Sequence, residues 1–319
     1  MRFTLGTFNL NNLFSRFTFQ GQVDDPAEGL QGDVAVSYSF TPGQYRFRKY
    51  MGRMVMGKPD TERQTIANRI LAMNADVLAV QEVEDIDTLR AFARDDLNGL
   101  YPYQILVEGN DDRLIDLGLL SKLPIGAITS WKEAIHETVP ERPVFSRDML
   151  QVEILDPISR QVVLTVFNHH LKSHFVPANE NPVAGAEKAN KGRQRQCEVA
   201  RDIIAARMAS GGKVAVVGDM NDPPDSNWLA PMFGPFGLGL VNALADPNET
   251  RPAKADNPPP ATRAWTHRFK EDGQPAKYEM YDQIWVSPGV TVVEAWIDRR
   301  TKHSGDGSDH DPAWVQIEV

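Results

Sequence analysis

Cysteine is almost missing from this chain, with one residue, Cys197, in 319. A single thiol excludes an intrachain disulfide framework and any multi-cysteine zinc or iron–sulfur site. Long apolar runs are missing too. Nothing approaches the roughly 18 consecutive apolar residues of a membrane-crossing helix, and a typical clean run is only Val214–Val217. Residues 1–12 carry no apolar segment before Asn9 and no small-residue cleavage site, so the chain as it stands is expected to be cytoplasmic. A trimmed secreted protein would look the same. Positive charge is also in deficit: 34 Lys and Arg face 43 Asp and Glu, a formal net charge of −9. That argues against coating nucleic acid through bulk charge, yet it leaves room for a local basic cleft beside acidic metal ligands. The 41% hydrophobic and 24% charged content is ordinary globular composition and excludes a disordered or fibrous chain.

What is present is a series of short β-rich stretches, each followed by turn or helix signals. Strands are expected at 2–8, 76–82, 103–107, 117–121, 126–131, 145–155, 161–168, 213–222, 283–287, 290–297 and 313–318. One helix starts near Thr61, where Thr61 and Gln64 have capping-box spacing and Ile66, Ile70 and Met73 form an apolar face. A second covers about 85–97. A third runs from about 186 to 209, with Cys197, Ala200, Ile204 and Met208 on one stripe and Gly211–Gly212 as its stop. The mixture predicts an α/β (α+β) sandwich of two mainly antiparallel sheets with outer helices. A single domain over 1–319 is expected, with a loop insertion at about 15–59; no repeat or linker divides it.

Acidic, amide and imidazole side chains recur just after apolar strands: Asn9, Glu82, Asn168–His169–His170, Asp219, Asn221, Asp222, Asp309 and His310. Taken singly, each is as well explained as a turn former or strand end. Strand ends of layered sheets converge on one rim, and this set of types together suggests a metal–carboxylate hydrolytic site. The hard oxygen donors Glu82, Asp309 and Asn9, without an HExxH spacing, favour Mg²⁺ or Mn²⁺ over zinc, as one ion or two. Asp219 and Asn221, two apart on an extended segment, suit a base and an orienting amide for an attacking water.

The segments TFNLNNLF (7–14), ADVLAVQEVED (75–85), DLGLLSKLPI (116–125), FNHHLKSH (167–174), GDMNDPPDS (218–226), YDQIWVS (281–287) and SDHDPAWV (308–315) resemble, in order, the motifs of the endonuclease/exonuclease/phosphatase superfamily. Deoxyribonucleases, abasic-site endonucleases, sphingomyelinases and inositol polyphosphate 5-phosphatases belong to it. The resemblance implies a four-layer α/β sandwich and phosphoester hydrolysis with a divalent cation. Position by position it makes Glu82 and Asp309 metal-side carboxylates and Asn9 the first-motif asparagine beside them. His170 becomes the phosphate-contacting histidine, Asp219 the water-activating or leaving-group aspartate, and Asn221 its phosphate-orienting partner. His310 becomes the catalytic histidine, oriented by Asp282. Whether His310 or Asp219 is the formal base stays open.

His169 faces away from His170 on a strand and is expected to pack or to hydrogen-bond. Lys172, Arg147 and Arg193 are candidates for substrate contact, with a purely structural role standing beside each. Cys197 is expected in the core. Segment 41–59 interleaves Arg46, Arg48, Lys49, Arg53 and Lys58 with Tyr45, Phe47 and Tyr50 and holds no acid. It reads equally as a strand clamp for nucleic acid or as a packed insertion loop. Trp265 and His267 are rim candidates, with a buried tryptophan the commoner fate. The first functional reading is therefore a nuclease or broad phosphodiesterase. A phosphatase or phosphodiesterase for small or lipid-headgroup substrates is the alternative. A catalytically inactive phosphate-binding scaffold ranks below both, because the expected functional positions are intact. A phosphodiester substrate, nucleic acid included, is the only partner expected.

Overall fold

The central strands are apolar almost without alternation, because both faces are covered. The computed structural model describes residues 1–14, 58–177, 179–249, 264–269, 275–299 and 306–319. Seven strands form one sheet, in the order Asn248–Glu249, Thr291–Ile297, Ala313–Glu318, Arg2–Leu13, Val77–Val83, Asp116–Ser121 and Tyr103–Val107. Six form the other: Val241–Asn242, Asp282–Val286, Val214–Asp219, Val162–His170, Met149–Leu155 and Ile125–Ser130. Three neighbouring pairs are parallel: Arg2–Leu13 with Val77–Val83, Asn248–Glu249 with Thr291–Ile297, and Val162–His170 with Val214–Asp219. The remaining pairs are antiparallel, as the sequence reading expected.

Alternating residues separate the layers. Leu5, Val77, Ala79, Ala215 and Val217 face inward between the sheets. Phe8, Leu78 and Val80 face outward under the helices Asp60–Met73 and Ile86–Asp95, meeting Ile66, Ile70 and Phe92. On the other side Val214, Val216 and Phe167 pack beneath Cys197, Ala200 and Ile204 of the long helix Pro182–Ala209. Helix, sheet, sheet, helix is the resulting order. Among the described residues no helix is long and apolar enough to cross a membrane.

Several boundaries depart from the sequence reading. The first helix begins at Asp60 behind Pro59, so Thr61 lies inside it and makes no capping box. The long helix begins four residues before position 186: Asn181 Oδ1 accepts from the Val183 and Ala184 amides, and Pro182 opens the first turn. Residues 145–148 are not strand; the strand starts at Met149. Most of the 15–59 insertion, residues 15–57, lies outside the described residues.

A buried polar contact ties the sheets together next to their functional end. Asn168 Nδ2 donates to the carbonyls of Val80 (3.1 Å) and Gly118 (2.9 Å), two neighbouring strands of the opposite sheet. Its Oδ1 accepts from Gln81 Nε2 at 2.8 Å. Each bond left unmade in a buried place costs about 1–3 kcal/mol. Asn168→Ala is therefore expected to lower stability by at least about 2 kcal/mol, read as a lower denaturant midpoint. An unchanged midpoint would mean that the bridge adds nothing.

Candidate active site

Register alone places three of the expected residues in a row. Asp219 sits opposite Asp282 in one neighbouring strand and opposite His170 in the other. Gly218 makes this possible: at φ 125° a Cβ would lie 2.1 Å from the His169 carbonyl. On the other sheet, Asn9 and Gln81 are opposed at the ends of parallel strands, followed by Glu82 at φ 62°. Asn11, Asn12 and Asn221 also have positive φ. A left-handed glutamate costs on the order of 1–3 kcal/mol, the kind of local strain that surrounding structure holds at functional sites.

The side chains then meet. Asn9 Nδ2 donates to Asp219 Oδ2 at 3.0 Å, and the Asn221 amide donates to Asp219 Oδ1 at 2.9 Å. His170 Nε2 stands 3.5 Å from Asp219 Oδ2 and 3.8 Å from Glu82 Oε1. Asp282 Oδ2 lies 2.6 Å from His310 Nδ1, and His310 Nε2 lies 3.8 Å from Asp219 Oδ2. Glu82 Oε2 accepts from the Asn12 amide at 3.0 Å. The side chain of Asn221 turns away, its Nδ2 donating to the Leu171 carbonyl. Its backbone, rather than its amide group, holds Asp219.

Burial sets the charges. It opposes a proton on His310, but the carboxylates of Asp282, Asp219 and Asp309 outweigh it and push the pKa up to about 10. Burial raises Glu82; the His310 charge opposes this, and Asp309 and Asp219 add to it. Asp219 is raised by burial against His310, with Asp282 adding to the rise. Burial, helped by the charge of Arg147, keeps His170 neutral, well below the usual imidazole range.

Asp309 is half exposed, at 52% of its side chain. Its Oδ2 lies 3.3 Å from His267 Nε2 and its Oδ1 lies 3.9 Å from His310 Nε2. His267 is held by ring stacking on Tyr281 (5.0 Å between centroids) and by a strand bridge to His310. His267, Asp309 and His310 offer donor atoms within 4.8 Å of one another.

Other candidates are placed differently. Arg193 is wholly buried and binds Asp222 Oδ2 at 2.8 Å and the Lys172 carbonyl, so it positions a loop rather than meeting substrate. Arg147 is 3% exposed, donates to the Leu171 carbonyl and lies 3.2 Å from Asp111. Lys172 is half-buried, and Nζ reaches the Ser173 carbonyl. His169 packs near Phe145 with neither ring nitrogen hydrogen-bonded, and burial lowers its pKa to about 3. Cys197 is buried. Trp265 is buried under the Arg299 guanidinium, 3.7 Å from its centroid. Residues 41–57 of the basic segment lie outside the described residues. Lys58 is described, and its Nζ donates to the Gly307 carbonyl at 2.5 Å.

The sequence reading missed the clamp beneath the histidine loop. Buried Arg69 donates to Asp311 Oδ1 (2.7 Å), Asp298 Oδ2 (3.0 Å) and the His310 carbonyl (3.3 Å). Asp311 stood in SDHD as a visible signal, but its partner lies 242 residues away.

A two-sheet sandwich with carboxylates, amides and a carboxylate-paired imidazole on one rim is the architecture of the phosphoester-hydrolysing sandwich enzymes. The chain belongs to the endonuclease/exonuclease/phosphatase family, whose model matches residues 6–310. Members of this family are phosphoesterase hydrolases that generally use divalent metals. The fold is similar to that of an endonuclease/exonuclease/phosphatase from Bacteroides vulgatus, at TM-score 0.57 and 14% identity over 100% of this chain and 99% of that one. Truncated TDP2 from Caenorhabditis elegans matches at TM-score 0.55 and 17% identity, covering 81% of this chain and 91% of that one. A mannosyl-6-phosphatase from Bacteroides thetaiotaomicron matches at TM-score 0.58 and 13% identity over 99% and 100%. No curated protein sequence matches the chain.

In metal-free protein, Asp282→Asn is expected to lower the His310 pKa from about 10, since burial is then opposed only by Asp219 and Asp309. NMR titration of the imidazole reads this directly. The sign for stability follows. A folded pKa above the ordinary 6.5 means the pair stabilises fully below about pH 6.5, and its contribution fades as pH rises toward 10. An unmoved His310 titration in the variant would remove Asp282 as its partner.

Proposed function

We propose that this protein is a divalent-metal-dependent phosphodiester hydrolase, a nuclease or broad phosphodiesterase, acting by in-line attack of water. The observation carrying this is the row His170–Asp219–Asp282, bonded to Asn9 from the facing sheet and to His310 from the last loop. The donor set fits a hard cation. Glu82 and Asp219 are both pushed toward protonation by burial, with Asp309 adding to the rise at Glu82, a cost that a hard cation would offset. Glu82, Asp309 and Asn9 would hold the Mg²⁺ or Mn²⁺, as one ion or two, and His267 stands beside Asp309 as a further donor. A bound cation supplies charge neutralisation on the phosphate and leaving oxygens.

The chain's own groups do the rest. Asp219, fixed through both oxygens by Asn9 and the Asn221 amide, is placed to accept the proton of the attacking water. His310 carries its proton at neutral pH, so it serves as a hydrogen-bond donor to the phosphate rather than as the base. Asp282 keeps Nδ1 occupied and leaves Nε2 pointing at the reaction. Neutral His170 donates to a phosphate oxygen. Asn221 shapes the base from its backbone. Arg147, behind His170, adds positive potential from inside, while Lys172 stands at the rim.

The test is a panel with Mg²⁺ or Mn²⁺, with and without chelator: supercoiled plasmid, single-stranded oligonucleotide, a bis-aryl phosphodiester, a monoester and sphingomyelin. The monoester is included because one structure of similar fold is that of a mannosyl-6-phosphatase. Diester turnover that chelator abolishes is expected, and Asp219→Ala should cost about 10³-fold or more in rate while the protein stays folded. Turnover of the monoester alone would overturn the diester reading. Glu82→Gln should raise the metal concentration for half-maximal activity, with weaker metal binding by calorimetry. Unchanged metal affinity would take Glu82 out of the ligand set.

A further inference from the structure

Beside the site lies a feature that the reaction itself does not use. A cavity of about 590 Å³ opens between the hairpin Ile135–His136/Val139–Pro143 and the first half of the helix Pro182–Ala209. That is within the range of ligand-binding clefts, roughly 300–1,000 Å³. Its walls carry Arg142, Lys172, Lys188 and Arg195 against one carboxylate, Glu180, which Lys188 meets at 3.1 Å. Among the described residues no carboxylate pairs with Arg142 or Arg195. Such a balance is unusual on a chain of net charge −9. Phe175, 69% exposed, lines the same cavity.

The cavity shares a wall with the reaction site. Lys172 follows His170 by two residues, and its amide is held by Gln196 Oε1 at 2.8 Å. Gln196 Nε2 in turn binds the Val144 carbonyl at 3.1 Å. Ser146 lines the cavity, while the next residue, Arg147, donates to Leu171 beside the site. A chain whose scissile phosphate sits at His170 and Asp219 would run its neighbouring unit along Lys172 into this groove.

We propose that the groove is a subsite for unpaired nucleic acid flanking the scissile phosphodiester, with Arg142 and Arg195 on the backbone phosphates and Phe175 under a base. This rests on the phosphodiesterase reading above. Cations following a backbone with an exposed aromatic for stacking are the means by which single strands are held without sequence preference. An aromatic face stacks on an unpaired base, whereas the bases of a duplex are already stacked on one another.

The test uses the full chain in EDTA with fluorescein-labelled dT12, read by anisotropy, alongside a duplex of equal length and phosphatidylserine vesicles. Arg142→Gln/Arg195→Gln should weaken dT12 binding about tenfold at low salt and flatten the salt slope by about 1.4, two contacts at roughly 0.7 each. Phe175→Ala should weaken it without changing the slope. With metal, the double variant should raise KM for the oligonucleotide and leave kcat and bis-aryl diester turnover unchanged. Unchanged dT12 affinity in the double variant overturns the proposal. So does an equal loss for duplex, or arginine-dependent binding to the vesicles instead. The two readings fail separately. Diester turnover with arginine-independent dT12 binding sinks the groove alone. Arginine-dependent dT12 binding without hydrolysis of any diester sinks the hydrolase and supports the groove.

Discussion

Removing carboxylates from water without a compensating cation is among the most expensive things a fold can do. This structure gathers Glu82 and Asp219 about His170, and Asp219 and Asp282 about His310, with Asp309 at the edge. His310 answers one of these charges through a 2.6 Å bond to Asp282. Burial, with charge from neighbouring carboxylates added to it, holds Glu82 and Asp219 above their ordinary range. A cation at the rim would offset that burial.

Such crowding needs rigid supports, and they lie in places that apolar packing alone would not supply. Asn168 crosses between the sheets just before His169 and His170, fixing the spacing of the two rims. Arg69 reaches from the first helix to Asp311, Asp298 and the His310 carbonyl. Arg299 lies 3.6 Å from the other oxygen of Asp311. Paired guanidinium and carboxylate groups convert a surface loop into a fixed mount for His310. Removing one partner would strand a buried charge, so these pairs matter for position more than for net stability.

The apolar code of the central strands was legible in the sequence because short, nearly unbroken apolar runs bounded by turn signals repeat locally. Residues 76–82, 213–222 and 313–318 needed no distant information. The order of the site motifs was legible as well, and the row His170–Asp219–Asp282 then follows from strand pairing. Three things were not. Asn221 offers its backbone rather than its amide to Asp219, which depends on a positive φ that no pattern announces. Arg193 reads as a substrate cation from charge alone, and only burial reveals Asp222 as its partner. Arg69 and Asp311 meet over 242 residues of chain, far outside any local window.

An acidic protein acting on an anion faces a problem of approach, since its field repels what it must bind. Glu82 and Asp309 lie on the part of the rim reached from Asn9, where the proposed cation would be held. Arg147 and Lys172 lie near His170, and their charges contribute to holding that histidine neutral. Lys172 continues this positive wall into the cavity beneath Arg142 and Arg195. A phosphate approaching along that wall would meet donors before it met acids. Net charge is thus a poor guide to a local ligand, because excess acid elsewhere on the surface contributes little beyond a Debye length.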